Sequence, residues 1–247
     1  MSILLMTATV SPPSTATKLA RADPIDRLDD YAKALAHYIE LQEQGLFDAL
    51  VFVENSDADL RVLKALAARS TRRETIEFLS FYGLDYPGAF GRGYGEMQII
   101  EHAMQRSALI AAAPADAMIW KITGRYVLRN LGRLIDGSVE AELFCQCRDL
   151  PRAWADMYFM GWRKRAYAGT LAGAAGRLRE DLHGRSSEVE LRKLIDEKAK
   201  SMRVARRFAA VPQLSGIRGF DNRRFEEQGI KTSVRVVLGR LMPWVWI

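Results

Sequence analysis

The chain has 247 residues, 49% of them hydrophobic and 27% charged, with a net charge of +6. That balance excludes a disordered chain and supplies enough apolar material for one sizeable α/β domain. No apolar run reaches the roughly 18–20 residues of a membrane-spanning helix. Two cysteines one residue apart, Cys145 and Cys147, exclude a disulfide scaffold.

Taken in chain order, residues 2–10, SILLMTATV, form a short β-favouring apolar run stopped by Ser11-Pro12-Pro13-Ser14. No basic residue precedes it, so it reads as a first buried strand rather than a signal peptide. In RADPIDRLDDYAKALAHYIELQEQGLF, Tyr31, Leu35, Tyr38, Ile39 and Leu41–Gln42 follow helical spacing, and Gly45 ends the pattern. FDALVFVENS (47–56) predicts a second buried strand with a polar tail, Glu54-Asn55-Ser56. Asp57 is expected to begin a helix with Leu60, Leu63, Leu66 and Ala67 on one face. ETIEFLSFY (74–82) predicts a third strand, and Gly83 to Gly95 a glycine-rich loop. Glu96 is expected to open the next helix, EMQIIEHAMQRSALI, and residues 117–122 a fourth strand.

The second half is less regular. VEAELFCQC (139–147) predicts a strand with both thiols on one face. PRAWADMYFMGWRKRAYAGTL reads as a turn followed by a helix. SSEVELRKLIDEKAKSM predicts a helix capped by Ser186 or Ser187, with Glu190 suited to its first turn. VPQLSGIRGFDNRRF reads as loop with an extended stretch. The expected organisation is one α/β domain over residues 1–225 and a basic, tryptophan-containing tail over 226–247.

Strands alternating with helices in this order predict a doubly wound, mostly parallel sheet flanked by helices, Rossmann-like, with a helical and aromatic C-terminal extension. Ligands of such sheets bind outside the carboxyl ends of the strands. Thr7–Thr9, Glu54–Ser56 and Lys121–Tyr126 are therefore expected to line one crevice.

The basic surplus suits anionic partners: nucleotide phosphates, nucleic acid or an anionic membrane. In Lys121-Ile-Thr-Gly-Arg-Tyr126, Arg125 offers a bidentate fork and Lys121 a point charge for phosphate, Thr123 and Tyr126 add hydroxyls, and Gly124 permits close approach. The plainer reading is a solvated strand end whose cations pair with carboxylates. Gly91-Arg-Gly-Tyr-Gly-Glu96 suits a phosphate-friendly turn, but it lacks the Gly-Lys-Ser/Thr of a P-loop and the spacing of the dinucleotide fingerprint. Glu96 there either repels a phosphate or compensates a helix dipole. Asp57 and Asp59 could hold a divalent cation, although capping explains them better. Asp156, just before Met157-Tyr158-Phe159, suits a general base of raised pKa, or a partner for Arg152, Arg163 or Arg165. Glu188 and Glu190 are similar candidates. The cysteine pair finds no third thiol and no nearby histidine to complete a tetrahedral metal set. Reduced thiols fit a cytoplasmic setting. In the tail, Lys231, Arg235 and Arg240 beside Trp244 and Trp246 suit either an anionic membrane face or packing on the domain or a second copy.

The succession of a strand-ending Thr-Ala-Thr, DPIDRLDDYAKAL, FVENS, GRGYGE, KITGRY and ADMYFMGW resembles bacterial glycosyltransferases of the GT-A type that act in surface-polysaccharide and lipopolysaccharide synthesis. The likeness spans roughly residues 3–220. It implies a nucleotide-sugar donor at the strand carboxyl ends, a saccharide or lipid-linked acceptor, and an enzyme on the cytoplasmic side of the membrane, peripheral to it through the tail. It further implies Thr7, Arg27 and Glu54 at the nucleoside, and Gly93, Gly95 and Glu96 shaping the donor pocket. Lys121, Thr123, Gly124, Arg125 and Tyr126 would lie at the diphosphate, with Asp156 or Glu188 as the base. The family usually carries Asp-x-Asp at a mid-chain strand end, holding Mn²⁺ or Mg²⁺ on the diphosphate. This chain has Thr-Gly-Arg-Tyr there, so Lys121, Arg125 and Tyr126 are expected in place of the metal. A nucleic-acid-binding module would instead need an exposed cationic stripe, which is not the pattern here. A non-catalytic membrane scaffold would rest on the tail and the aromatic segment.

Overall fold

The computed structural model describes residues 1–13, 19–136, 140–150, 152–219 and 221–225; the tail expectation for 226–247 lies outside the described residues. The elements run β1 (Ser2–Ala8), α1 (Pro24–Glu43), β2 (Ala49–Glu54), α2 (Arg61–Ala67), β3 (Ile76–Ser80), α3 (Arg92–Arg106), α4 (Ala108–Ala112), β4 (Met118–Thr123) and β5 (Val127–Leu128). They continue with α5 (Leu131–Asp136), β6 (Leu143–Arg148), β7 (Trp154–Arg163), α6 (Tyr167–Thr170), α7 (Ala174–Arg177), α8 (Glu180–His183), α9 (Ser187–Lys198), β8 (Val204–Ala205) and β9 (Leu214–Ser215). Among the described residues, no helix is long and apolar enough to cross a membrane.

The main sheet has seven strands in the order β3-β2-β1-β4-β7-β6-β8, and β5 pairs with β9 in a small ribbon. β1 to β4 are parallel, while β7 runs antiparallel to both β4 and β6. The fold is thus an α/β sheet, mostly parallel and flanked by helices. Alternation along β1 builds two cores: Ile3 and Leu5 face α3 and α9, and Leu4 and Met6 face α1 and α2. α1 starts where Asp23 accepts the N–H groups of Ile25 and Asp26 and Pro24 supplies a preset φ. It buries Tyr31, Ala34, Leu35 and Tyr38, and Gly45, at φ +83°, turns the chain after it.

Three boundaries differ from expectation. α3 begins at Arg92, inside the segment read as loop, because Gly93 and Gly95 serve packing rather than turning. A Cβ on Gly93 would overlap Ser187 at the start of α9, and one on Gly95 would overlap the Tyr86 phenol. Asp57, at φ +53°, belongs to the turn before α2, which starts at Arg61. Residues 154–163, read as turn and helix, are the longest strand of the sheet. A register shift against β6 between Cys145 and Cys147 breaks the two-residue alternation that would have revealed it.

Candidate functional site

β1 is flanked by β2 on one side and β4 on the other; α1, which leaves β1 toward β2, covers one face of the sheet, and α3, on the way from β3 to β4, covers the other. This is a topological switch point, where doubly wound sheets open a crevice at their carboxyl edge. Thr7, Lys121 and Thr123 share the α3 face there, with Leu5 beside Lys121 and Thr7 beside Thr123 in register. Glu96, in the second turn of α3, reaches down to them.

Glu96 Oε1 accepts the Thr7 hydroxyl at 2.6 Å and the Thr123 hydroxyl at 3.2 Å, and forms an ion pair with Lys121 Nζ. Lys121 is fully buried, and its ammonium also donates to the Met157 carbonyl at 2.6 Å and to Thr123 Oγ1 at 3.2 Å. Its three donors are thereby committed to the protein. Burial pushes the Glu96 carboxyl up, but Lys121 and the two hydroxyls pull harder and hold it below the usual carboxylate range. Burial pushes the Lys121 ammonium down, against the pull of Glu96. The nearby Tyr86 phenol is pushed up by burial and by the Glu96 charge.

The ends of β1 and β2 are knotted together behind this cluster. Glu54 is fully buried; its Oε1 accepts the N–H groups of Val10 and Ser56, both at 2.9 Å, and its Oε2 accepts that of Ala58 at 3.1 Å. Thr9 Oγ1 donates to Asn55 Oδ1 at 2.6 Å. Arg27 donates through Nε to the Thr9 carbonyl at 2.7 Å and through Nη1 to the Arg21 carbonyl at 3.0 Å, and it lies near Tyr31. Gly124 is required by close approach: its N–H donates to the Thr7 carbonyl at 2.8 Å, and a Cβ would stand 2.9 Å from that oxygen. Arg125, 8% exposed, donates to the Ile217 carbonyl at 3.1 Å and lies over the Tyr126 ring, while its buried Nε has no hydrogen-bond partner among the described residues. The Tyr126 ring also meets Phe225 edge-on.

The three strand ends do converge, but Lys121 is the floor of the cluster and has no donor left for a phosphate. The expected cation at the diphosphate is instead an internal counter-charge. Glu54 likewise spends its oxygens on backbone amides rather than on an incoming ligand. The two candidate bases stand apart. Cys147 and its register partner Ala155 point into the α3-side core, so their neighbours Arg148 and Asp156 turn to the opposite face. There Arg148 clamps Asp156 Oδ2 through Nε at 2.9 Å and Nη2 at 2.8 Å. Burial, joined by the Asp156 charge, pushes the Tyr158 phenol up. Glu188 lies half-buried in the first turn of α9, next to Ser187, which packs on Gly93. Tyr31, Tyr86 and the Met157 carbonyl were not foreseen. Tyr31 has the signature of a core helix residue, and a backbone carbonyl has no sequence signature at all.

Among the described residues, the acids do not suit a divalent cation. Among the described residues no three His, Cys, Asp or Glu side chains converge, and the two acids near the β4 end are already held by Lys121 and Arg148.

No family model and no curated protein matches the chain. Solved structures of similar layout include galactosyltransferase LgtC in complex with donor and acceptor sugar analogs, at 12% identity and TM-score 0.49, covering 83% of this chain and 72% of that one. They also include a nucleoside-diphosphate-sugar pyrophosphorylase from Vibrio cholerae RC9, at 9% identity and TM-score 0.46, covering 82% of this chain and 90% of that one. A third is HddC from Yersinia pseudotuberculosis, at 11% identity and TM-score 0.40, covering 87% and 93%. At such values no residue role passes from them to this chain.

Proposed function

We propose that the chain is a glycosyltransferase that moves a sugar from a nucleotide-sugar donor to a saccharide or lipid-linked acceptor in cell-surface polysaccharide synthesis. The observation that carries this reading is the convergence of Thr7, Thr9, Asn55, Glu96 and Thr123 at the switch point, with Arg27 and Arg125 behind them. Such a crevice offers hydroxyl, amide and carboxylate groups to a polyhydroxy ligand and the Arg125 guanidinium to its phosphates, while Arg27 ties the β1 end to α1. The resemblance of the KITGRY and GRGYGE segments to GT-A enzymes supports the same assignment and supplies the surface-polysaccharide context.

In this scheme the nucleoside lies over the ends of β1 and β2. The diphosphate lies toward Arg125 and Tyr126. Glu188, on the same face of the sheet as Glu96, is the proposed base. It takes the proton of the acceptor hydroxyl as that oxygen bonds to the anomeric carbon of the donor sugar. The bond from that carbon to the phosphate oxygen breaks, and the nucleoside diphosphate leaves with the electron pair. The fixed Arg125 guanidinium stabilises the charge that develops on it.

A thermal-shift screen against UDP, GDP, CMP and dTDP sugars, with and without Mn²⁺ or Mg²⁺, tests the reading, because a ligand of the native state raises Tm by mass action. Stabilisation by one nucleotide sugar is expected. Arg125→Ala should weaken that ligand about tenfold or more, as loss of a charged hydrogen bond does. No stabilisation by any nucleotide sugar, together with salt-sensitive RNA or DNA binding, would overturn it.

A further inference from the structure

One oxygen of the site is left over. Every hydrogen bond of Glu96 falls on Oε1, which faces Thr7, Thr123 and Lys121. Oε2 has no partner among the described residues, and the side chain is 21% exposed at the crevice floor. The carboxylate cannot swing away, because three donors from two strands grip its other oxygen. It cannot readily take up a proton either, because a buried ammonium stands against it. The result is a fixed hydrogen-bond acceptor, permanently charged, at the switch point of the sheet. A phosphate is repelled by such a group, whereas a sugar hydroxyl donates to it.

From this geometry we infer that Glu96 reads a ring hydroxyl of the donor sugar through Oε2, and that Lys121 is a positioning residue whose task is to hold Glu96 in place. The inference rests on the glycosyltransferase reading and adds a specificity-determining residue to it. It also orients the donor: the sugar lies over the β1 and β4 ends on the α3 side, and the diphosphate lies across Gly124 toward Arg125. Thr7 and Thr123 cannot substitute for Glu96, because their hydroxyl hydrogens are already given to it.

Glu96→Gln isolates the effect. Lys121 and the two threonines donate, so they require the amide oxygen of the new side chain. Its NH2 must then face the crevice, placing a donor where an acceptor stood. Calorimetric titration of matched pairs (UDP and UDP-glucose, GDP and GDP-mannose, CMP and CMP-N-acetylneuraminate, dTDP and dTDP-glucose) separates the sugar from the nucleotide. For the pair that binds the unaltered protein, Glu96→Gln should weaken the nucleotide sugar about tenfold and leave the bare nucleotide within about twofold. The double variant Glu96→Gln with Lys121→Met removes both buried charges and carries the same test if the single variant fails to fold. Equal weakening of both ligands, or of neither, overturns the role of Glu96 while leaving the glycosyltransferase reading intact. Failure of every pair to bind the unaltered protein overturns both.

Discussion

Lys121 is the residue whose removal the structure prices most directly. Lys121→Met keeps roughly the length and apolar stem of the side chain but deletes the ammonium that faces Glu96, the Met157 carbonyl and Thr123. Removing one partner of a buried pair costs about 3–5 kcal/mol. The 21% exposure of the Glu96 side chain lets water relieve part of that, which places the expectation near 3 kcal/mol. For a chain of this size that is a fall in Tm of roughly 6–12 °C at pH 7. The pH dependence has a definite sign. In the unaltered protein Glu96 is held below its ordinary value, so its contribution is fully present above the usual carboxylate range and is lost as pH falls through the lowered value. In Lys121→Met the pull of the ammonium is gone and burial outweighs what the Thr7 and Thr123 hydroxyls still supply, so the carboxyl titrates above the ordinary value near about 4.3. Its charged form then destabilises the fold at pH 7 and is relieved by protonation as pH falls toward about 5. Thermal melts of both proteins at pH 7 and pH 5 should show the gap narrowing at the lower pH. Adding Glu96→Gln should recover most of the loss at pH 7. A fall in Tm below about 2 °C, or an equal fall at both pH values, would refute the assignment of Lys121 as the counter-charge.

Other outcomes follow from the same geometry. Glu54→Gln turns an NH2 toward the N–H groups of Val10 and Ser56 or of Ala58, and should cost about 2–3 kcal/mol in urea unfolding at neutral pH. Gly161→Ala drives a methyl into the Trp120 indole across the β4–β7 pair, so unfolding should be easier by about 1–3 kcal/mol, with a changed tryptophan emission. Cys145 and Cys147 should both resist a thiol reagent until the protein unfolds: both are fully buried, and a hydrogen bond with Cys147, with burial, pushes the Cys145 thiol up.

Much of this molecule was legible in the sequence. The apolar runs of β1, β2 and β4, the amphipathic spacing of α1 and the stop at Gly45 are local signals, and they set the strand–helix alternation that implies a parallel sheet. The carboxyl-end rule then placed Thr7, Thr9, Asn55 and Thr123 in one neighbourhood without any contact being known. Both thiols on one strand face followed from their spacing of two.

What the tertiary structure alone decided is which polar groups face each other. Lys121 and Glu96 are separated by a whole helix and the turn before β4, and nothing in either segment marks them as partners. Only the register of β4 on β1 and the close seating of α3, made possible by Gly93 and Gly95, bring the ammonium under the carboxylate. The same seating turned a predicted loop into helix, and a register shift hid β7 and turned Asp156 away from Glu96 toward Arg148. The physical reason is that a sequence writes its periodicity locally, whereas the sign and freedom of a charge depend on whatever the packing places beside it.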